Sequence, residues 1–203
     1  MGGVFTTLDM RTTVFSYGAP ELLLLDAALT DISKIPVFST AGCSDAKELD
    51  QQAGLEGGLS ILMAAQSGAN LIHDVGYLES GLLGSLDMLV LSNEAISMVK
   101  RIMRGISVNQ ETLAVDVISR VGPGGHFLDD DHTISHFKKE IWIPELIDRS
   151  NLEEWSRAGH KNMGDRVRQR VHQILETHHP QPLEEKMIHE LKAIIARADE
   201  KYA

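Results

Sequence analysis

Apolar residues along the chain gather into short runs separated by longer stretches of helical spacing. Val4–Leu8 predicts a first strand. Pro20 sits at a helix start, and Glu21 to Ser33 is a dense apolar stretch of helical length. Ile35–Thr40, short and partly β-branched, predicts a second strand, and Asn70–Val75 a third. Between them, Gln51 to Ser67 predicts a helix with Gly68 at the stop position. Ser85 is placed to cap a long helix that ends at Arg104, before Gly105. Its last turns hold Lys100, Arg101 and Arg104, which suit the negative end of the helix dipole.

This βαβαβα order with short connections predicts a parallel sheet with right-handed crossovers. Ligands of such sheets bind beyond the carboxyl ends of the strands. Three polar stretches occupy that position: Asp9–Tyr17, Ser39–Gly58, which opens into the helix, and Asp74–Glu79. The last third differs. Val108–Ser119 predicts a helix, and residues 121–132 form a glycine-rich loop that ends in acids. Helices are expected at Thr133–Glu140, with Asp131 or Thr133 as the cap, and at Asn151–Ala158, Gly164–Glu176 and Leu183–Lys201. Leu183, Met187, Leu191 and Ile194 make the last one amphipathic, and His178–Pro182 reads as a linker. The expected division is a partial (β/α) barrel over 1–132 and a helical extension over 133–203.

Composition narrows the possibilities. The chain has 203 residues, enough for one substantial core, and its net charge of −10 argues against a dedicated nucleic-acid binder. Cys43 is the only cysteine, so an intrachain disulfide is excluded, which fits a reducing cytoplasm. No leader is expected at the N-terminus, and no apolar run is long enough to span a bilayer. A closed (β/α)8 barrel needs about 200 to 250 residues. Only three or four strand–helix units precede the helical tail, so the pattern fits half a barrel or a small open sheet.

Several segments carry a resemblance: 11–21 (RTTVFSYGAPE), 44–56 (SDAKELDQQAGLE), 68–81 (GANLIHDVGYLESG) and 122–128 (GPGGHFL), with the tail 137–145 (FKKEIWIPE). In this order they resemble the C-terminal part of the trimethylamine methyltransferase family, the corrinoid-dependent methylamine methyltransferases. The resemblance implies α/β architecture, namely the C-terminal half of a TIM (β/α)8-type barrel with parallel strands followed by a helical tail. It implies that the N-terminal strands are missing here, through a split gene, a truncated frame or a barrel completed by another chain. It also implies methyl transfer from a methylated amine, such as trimethylamine or glycine betaine, to the cobalt of a corrinoid held by a separate small protein. No cofactor is then expected to be bound tightly by this chain. Some members use pyrrolysine. Here the corresponding stretch, near Ala41–Ser44, holds only standard residues, so the chain resembles the non-pyrrolysine type.

A quaternary ammonium already carries a good leaving group and needs no acid. It needs a pocket that tolerates a cation, built from carboxylates and aromatic faces. Asp45, His73 and Asp74 are the catalytic candidates. Tyr17, Tyr77 and Glu79 are candidates for the cation, and Arg11, Lys47 and His126 for a substrate carboxylate. Gly124 and Gly125 are candidates for backbone approach to the corrinoid. Each has a structural alternative. Asp45 and Lys47 fit a loop salt bridge, Gln51 and Gln52 a helix start, Cys43 an inert small residue, and the glycines a tight turn. Strand alternation sends one of His73 and Asp74 inward and the other outward. The spacing of His126, Asp129–Asp131, His132 and His136 matches no zinc pattern, so no metal is expected. The competing readings are a non-catalytic half-barrel binding subunit and an inactive fragment. Two unpaired sheet edges would favour a homo-oligomer or a complex with the N-terminal half of the barrel. Neither a nucleic acid nor a membrane is expected as a partner.

Overall fold

The computed structural model describes residues 19–20, 23–24, 27–28, 30 and 36–202. The predicted strand Val4–Leu8 and the candidates Arg11 and Tyr17 lie outside the described residues. Pro20, Leu23, Leu24, Ala27, Ala28 and Thr30 are helical, within the predicted helical stretch. The chain forms two compact units, Met1–Val171 and His172–Ala203.

The first unit is α/β. Strand β1 (Phe38–Thr40) pairs in parallel with β2 (Leu71–His73), in the register Phe38↔Leu71, Ser39↔Ile72 and Thr40↔His73. Helix α1 (Gln51–Gln66) is the crossover between them. Asp50 caps it by accepting the Ala53 N–H at 3.0 Å, and Gly68 beyond its end has φ +82°. The strands are shorter than their apolar runs. Before β1, the Asn70 side chain takes the Val37 N–H at 3.0 Å.

Two short strands that the hydrophobic pattern did not predict follow. β3 (Tyr77–Leu78) and β4 (Leu83–Gly84) are antiparallel and flank a 3-10 turn at Glu79–Gly81. Helix α2 (Leu86–Met103) then runs as predicted, with Ser85 accepting the Met88 N–H at 3.1 Å. Packing of α1 on α2 makes the core. One cluster joins Ala41, Ile61, Ala64 and Val99, and a second joins Ala46, Ala53, Leu78 and Met88. Gly57 allows the close approach, since a Cβ there would lie 2.5 Å from Met88 Cε.

Val108–Ser119 is two helices rather than one. α3 (Gln110–Leu113) and α4 (Val115–Val121) meet at Ala114, which is left-handed at φ 49°. The Asn109–Thr112 capping box starts α3, and α4 begins at Ala114 with no side-chain cap, a break that the apolar pattern did not signal. α5 (Asp131–Glu140) is capped by Asp130, not by Asp131 or Thr133. Asp130 accepts the His132 N–H at 2.9 Å and pairs with Arg120 at 2.7 Å. That backbone bond first, with Arg120 assisting, holds its carboxyl below the usual range.

Residues 140–147 form a strap along α2. Glu94, which is buried, accepts the N–H groups of Glu145, Leu146 and Ile147 on one oxygen at 3.0, 2.9 and 3.1 Å. Trp142 Nε1 donates to Ser97 Oγ at 2.9 Å, and Arg101 Nε to the Glu140 carbonyl at 2.9 Å. Helices α6 (Leu152–Arg157) and α7 (Met163–Thr177) follow, α7 continuing past the boundary of the first unit. The second unit contains α8 (Glu185–Tyr202). Among the described residues no helix is long and apolar enough to cross a membrane.

Candidate functional site

The carboxyl ends of β1 and β2 do not part where the strands end. Ala41 N donates to the His73 carbonyl at 3.0 Å, Gly76 N to Gly42 at 3.3 Å, Ser44 N to Tyr77 at 3.1 Å, and Glu79 N to Ala46 at 2.9 Å. The two loops are thereby joined over residues 41–46 and 73–80. Gly42 makes this possible. Its φ is +74°, and a Cβ would fall 2.6 Å from Val75 Cγ1 and 3.2 Å from Val75 Cα.

Asp45 is fixed from three directions. Ser80 Oγ donates to its carboxylate. Its own N–H donates to Glu56 Oε2 at 2.9 Å, and Lys47 Nζ donates to its carbonyl at 2.8 Å. Glu56, on α1, also accepts Ser44 Oγ–H at 2.6 Å and Gln52 Nε2–H at 2.9 Å. The helix that the loop opens into therefore holds the loop's shape. Lys47 bonds the backbone of Asp45 rather than its carboxylate.

His73 and Asp74 meet each other instead of dividing between two faces. His73 Nδ1 lies 2.8 Å from Asp74 Oδ1, and Thr40 Oγ1 donates to Asp74 Oδ2 at 3.5 Å. The reason is local. Asp74 leaves the strand with φ 68°, so the two-residue alternation ends at His73. The Phe38 ring stacks on the imidazole with 3.8 Å between centroids. Glu79 (φ 49°) and Ser80 (φ 53°) are left-handed too. Each such non-glycine residue costs on the order of 1–3 kcal/mol, a strain that gathers at functional sites more than elsewhere.

Cys43 is buried, its thiol donating to the Asp74 carbonyl at 2.7 Å. Burial, and then the charge of Asp74, push its pKa up to about 12. It is a neutral donor at physiological pH. At pH 8 the thiolate fraction is roughly a thousandfold below that of an unfolded cysteine. Native alkylation by iodoacetamide should be slower than alkylation in urea by at least that factor. The raised pKa also removes stability as pH climbs from the unfolded cysteine's value toward 12, and leaves stability unchanged below that window. Comparable alkylation rates in the folded and unfolded chain would contradict the assignment.

Asp45, Lys47, His73, Asp74, Tyr77 and Glu79 thus occupy two joined loops. His126, Gly124 and Gly125 belong to another turn, where His126 pairs with Asp129 at 3.4 Å. A Cβ on Gly125 would lie 2.7 Å from the Val121 carbonyl oxygen, so the turn itself requires that glycine. Among the described residues no three His, Cys, Asp or Glu side chains are grouped to hold a metal ion. His132 and His136 stack at 4.1 Å and bond to Glu111 instead.

Across residues 1–203 the sequence matches the family described as Trimethylamine methyltransferase (MTTB). The chain belongs to the trimethylamine methyltransferase family. It is 36% identical over 204 residues to a trimethylamine methyltransferase of Desulfitobacterium hafniense, an alignment covering 99% of this chain and 41% of that protein. A Methanosarcina barkeri trimethylamine methyltransferase is 35% identical over 99% of the chain and 41% of its own length. A glycine betaine methyltransferase of D. hafniense is 32% identical over 97% and 42%. The chain therefore spans about two fifths of the curated relatives it matches, corresponding to their C-terminal part.

In this member of the trimethylamine methyltransferase family, Ser80, Glu56, Ser44 and Thr40 support the candidate residues, and sequence reasoning missed all of them. Gln52 and Glu56 stand four apart on one helical face, a spacing that signals their own bond but not its use. For Ser80 no sequence signal exists, because its partner is 35 residues away.

Proposed function

We propose that this chain is the C-terminal part of an enzyme that moves a methyl group from a quaternary or tertiary methylated amine, such as trimethylamine or glycine betaine, to a corrinoid protein. The observation that carries this is the meeting of Asp45, His73 and Asp74 on two joined strand-end loops in a chain of this family. The proposed architecture is the second half of a (β/α)8 barrel over residues 1–132, with 133–203 as a helical extension. The parallel β1–β2 pair with α1 as its crossover is the repeating unit of that barrel. Phe38 and Leu71, paired in register, are 59% and 57% exposed, an apolar surface suited to cover by further strands. A cytoplasmic location fits the single thiol.

The corrinoid supplies the nucleophilic metal that receives the methyl group, and it is brought by a partner. The residues of this chain bind and orient the amine. Asp74, with its carboxylate oriented by Thr40 and its neighbour His73, faces the substrate cation, and Asp45 adds a second negative charge. Tyr77 and Glu79, exposed at the rim, add an aromatic face and a carboxylate for the substrate cation. Lys47 provides a cation for a substrate that bears a carboxylate. Arg11 and Tyr17 belong to the same set through the family resemblance. His126 is a further candidate for a substrate carboxylate, and Gly124 and Gly125, on the same turn, for backbone approach to the corrinoid. Ala41–Ser44 are small and buried, which supports the non-pyrrolysine type.

The test is to produce the chain with and without a polypeptide supplying the rest of the relatives' length. A charged corrinoid carrier and a panel of methylated amines are added. Demethylated amine is followed by NMR and the carrier by its visible absorption. Turnover is expected in the complete assembly. Absence of turnover with every amine, in an assembly of verified mass, overturns the reading and favours a binding subunit.

A further inference from the structure

The distal end of α2 carries a cluster of cationic side chains that the methyl-transfer reading does not use. α2 starts beside the candidate loops and runs 18 residues, which carries its last turn about 27 Å away. There Lys100, Arg101 and Arg104 meet Lys138 and Lys139 from the end of α5, around a cleft of about 420 Å3.

Cations at helix carboxyl ends commonly do no more than balance the dipole, so the surplus decides the matter. Two helix ends contribute roughly −0.5 each. Glu140 contributes one further negative charge, at 3.4 Å from Arg101 and 3.5 Å from Arg104. Five cations against about −2 leave an excess of about +3, in a chain whose net charge is −10.

The two arginines are structural. Arg101 donates to the carbonyls of Glu140 at 2.9 Å and Gly105 at 3.0 Å. Arg104 donates to the Lys139 carbonyl at 2.5 Å. They join the two helix ends and hold the lysines close together. Among the described residues no carboxylate pairs with Lys100, Lys138 or Lys139.

The cleft also has an apolar floor. Ile141 and Ile143 are 60% and 69% exposed, and the Trp142 indole is fixed beside them by its bond to Ser97. Dipole balance does not require such a floor, whereas a ligand with a flat apolar portion does.

We propose that this cleft binds a small polyvalent phosphate-bearing anion with a planar apolar portion, of the nucleoside triphosphate class. The phosphates lie on Lys100, Lys138 and Lys139, and the ring lies on the Ile141–Ile143 floor. Lysines act as point charges for phosphate, and the planar floor selects among phosphates.

The test titrates the 203-residue chain with ATP and, separately, with sodium tripolyphosphate, at low and at high salt, by calorimetry and tryptophan fluorescence. ATP is expected to bind at least about tenfold more tightly than tripolyphosphate and to quench Trp142. Both should weaken with salt. The double variant Lys100→Glu/Lys139→Glu should lose at least about tenfold for both probes. Both lysines are exposed, so the circular dichroism spectrum should not change. Lys186→Glu/Lys192→Glu, in the second unit, should bind as the parent does. No heat and no quenching with either probe overturns the proposal, as does undiminished binding by the Lys100/Lys139 variant. Equal affinity for ATP and tripolyphosphate overturns the assignment of a planar ligand. Gln replacements at Lys100 and Lys139 give the same reading if the charge reversal fails to fold.

Discussion

Replacing Glu94 with alanine should destabilise the first unit by about 3 to 5 kcal/mol. One oxygen of this buried carboxylate receives three consecutive backbone N–H groups, from Glu145, Leu146 and Ile147. Successive N–H groups form a concave anion site, and here the anion is a side chain from α2. Alanine leaves all three donors without a partner beneath Leu146, itself buried. An unsatisfied buried donor costs about 1–3 kcal/mol, with the total below the sum because the strap relaxes. Glu94→Gln keeps an oxygen at the same place and should lose roughly 1–2 kcal/mol. Urea unfolding of both variants checks this, and the alanine protein should melt roughly 10 °C lower. Arg166 Nε donates to the Leu146 carbonyl at 2.6 Å, so the loss should also loosen the start of α7. A loss below about 1 kcal/mol in Glu94→Ala would mean that the strap is held elsewhere.

On the proposed reading, Asp74→Asn should raise KM for a cationic amine about a hundredfold, while kcat stays level or rises. A carboxylate about 5 Å from a cation in a half-buried site contributes roughly 3 kcal/mol at an effective dielectric of about 20. That is about two factors of ten. The sign of the split follows from the chemistry. In the proposed reaction a quaternary substrate is positive and the departing amine neutral, so positive charge on the substrate would fall on the way to the transition state. Asp74 would then serve binding of the cation rather than the chemical step. The reconstituted assembly gives KM and kcat, and calorimetry with tetramethylammonium gives the affinity without turnover. A kcat loss equal to the loss in kcat/KM would assign Asp74 to the chemical step instead. An unchanged KM would remove it from the cation pocket. His73, whose ring contacts Asp74 and Phe38, is the comparison variant.

Much of the framework was legible in the sequence because its signals are local. Ser85 and the apolar spacing after it specify α2, and Gly68 marks the end of α1, since caps and periodicity act within a few residues. The break at Ala114 leaves no local mark, because alanine favours helix and α4 starts there without a side-chain cap. Asp130 rather than Asp131 caps α5 because Arg120, ten positions earlier, holds it. Three successive aspartates offer equal local claims, and a contact from outside the segment chose among them.

The candidate site divides in the same way. Strand-end placement marked Asp45, His73, Asp74, Tyr77 and Glu79 from pattern alone, because ligand sites of parallel sheets lie there. The contact of His73 with Asp74 runs against strand alternation, and a left-handed Asp74 produces it.

By itself the sequence determined the β1–α1–β2 unit and the long helix α2, the family, the exclusion of an intrachain disulfide and the loops that bear polar side chains. Periodicity, caps and composition are properties of neighbouring residues, or of the chain as a whole. Only the tertiary structure decided that Ser80 reaches Asp45, that Glu94 receives the strap, that Cys43 is held neutral, and that two helix ends bring five cations to one cleft. Those partners stand 35 and 51 residues apart in the first two cases. What joins them is the path of the chain around the α1–α2 core, and no local pattern records it.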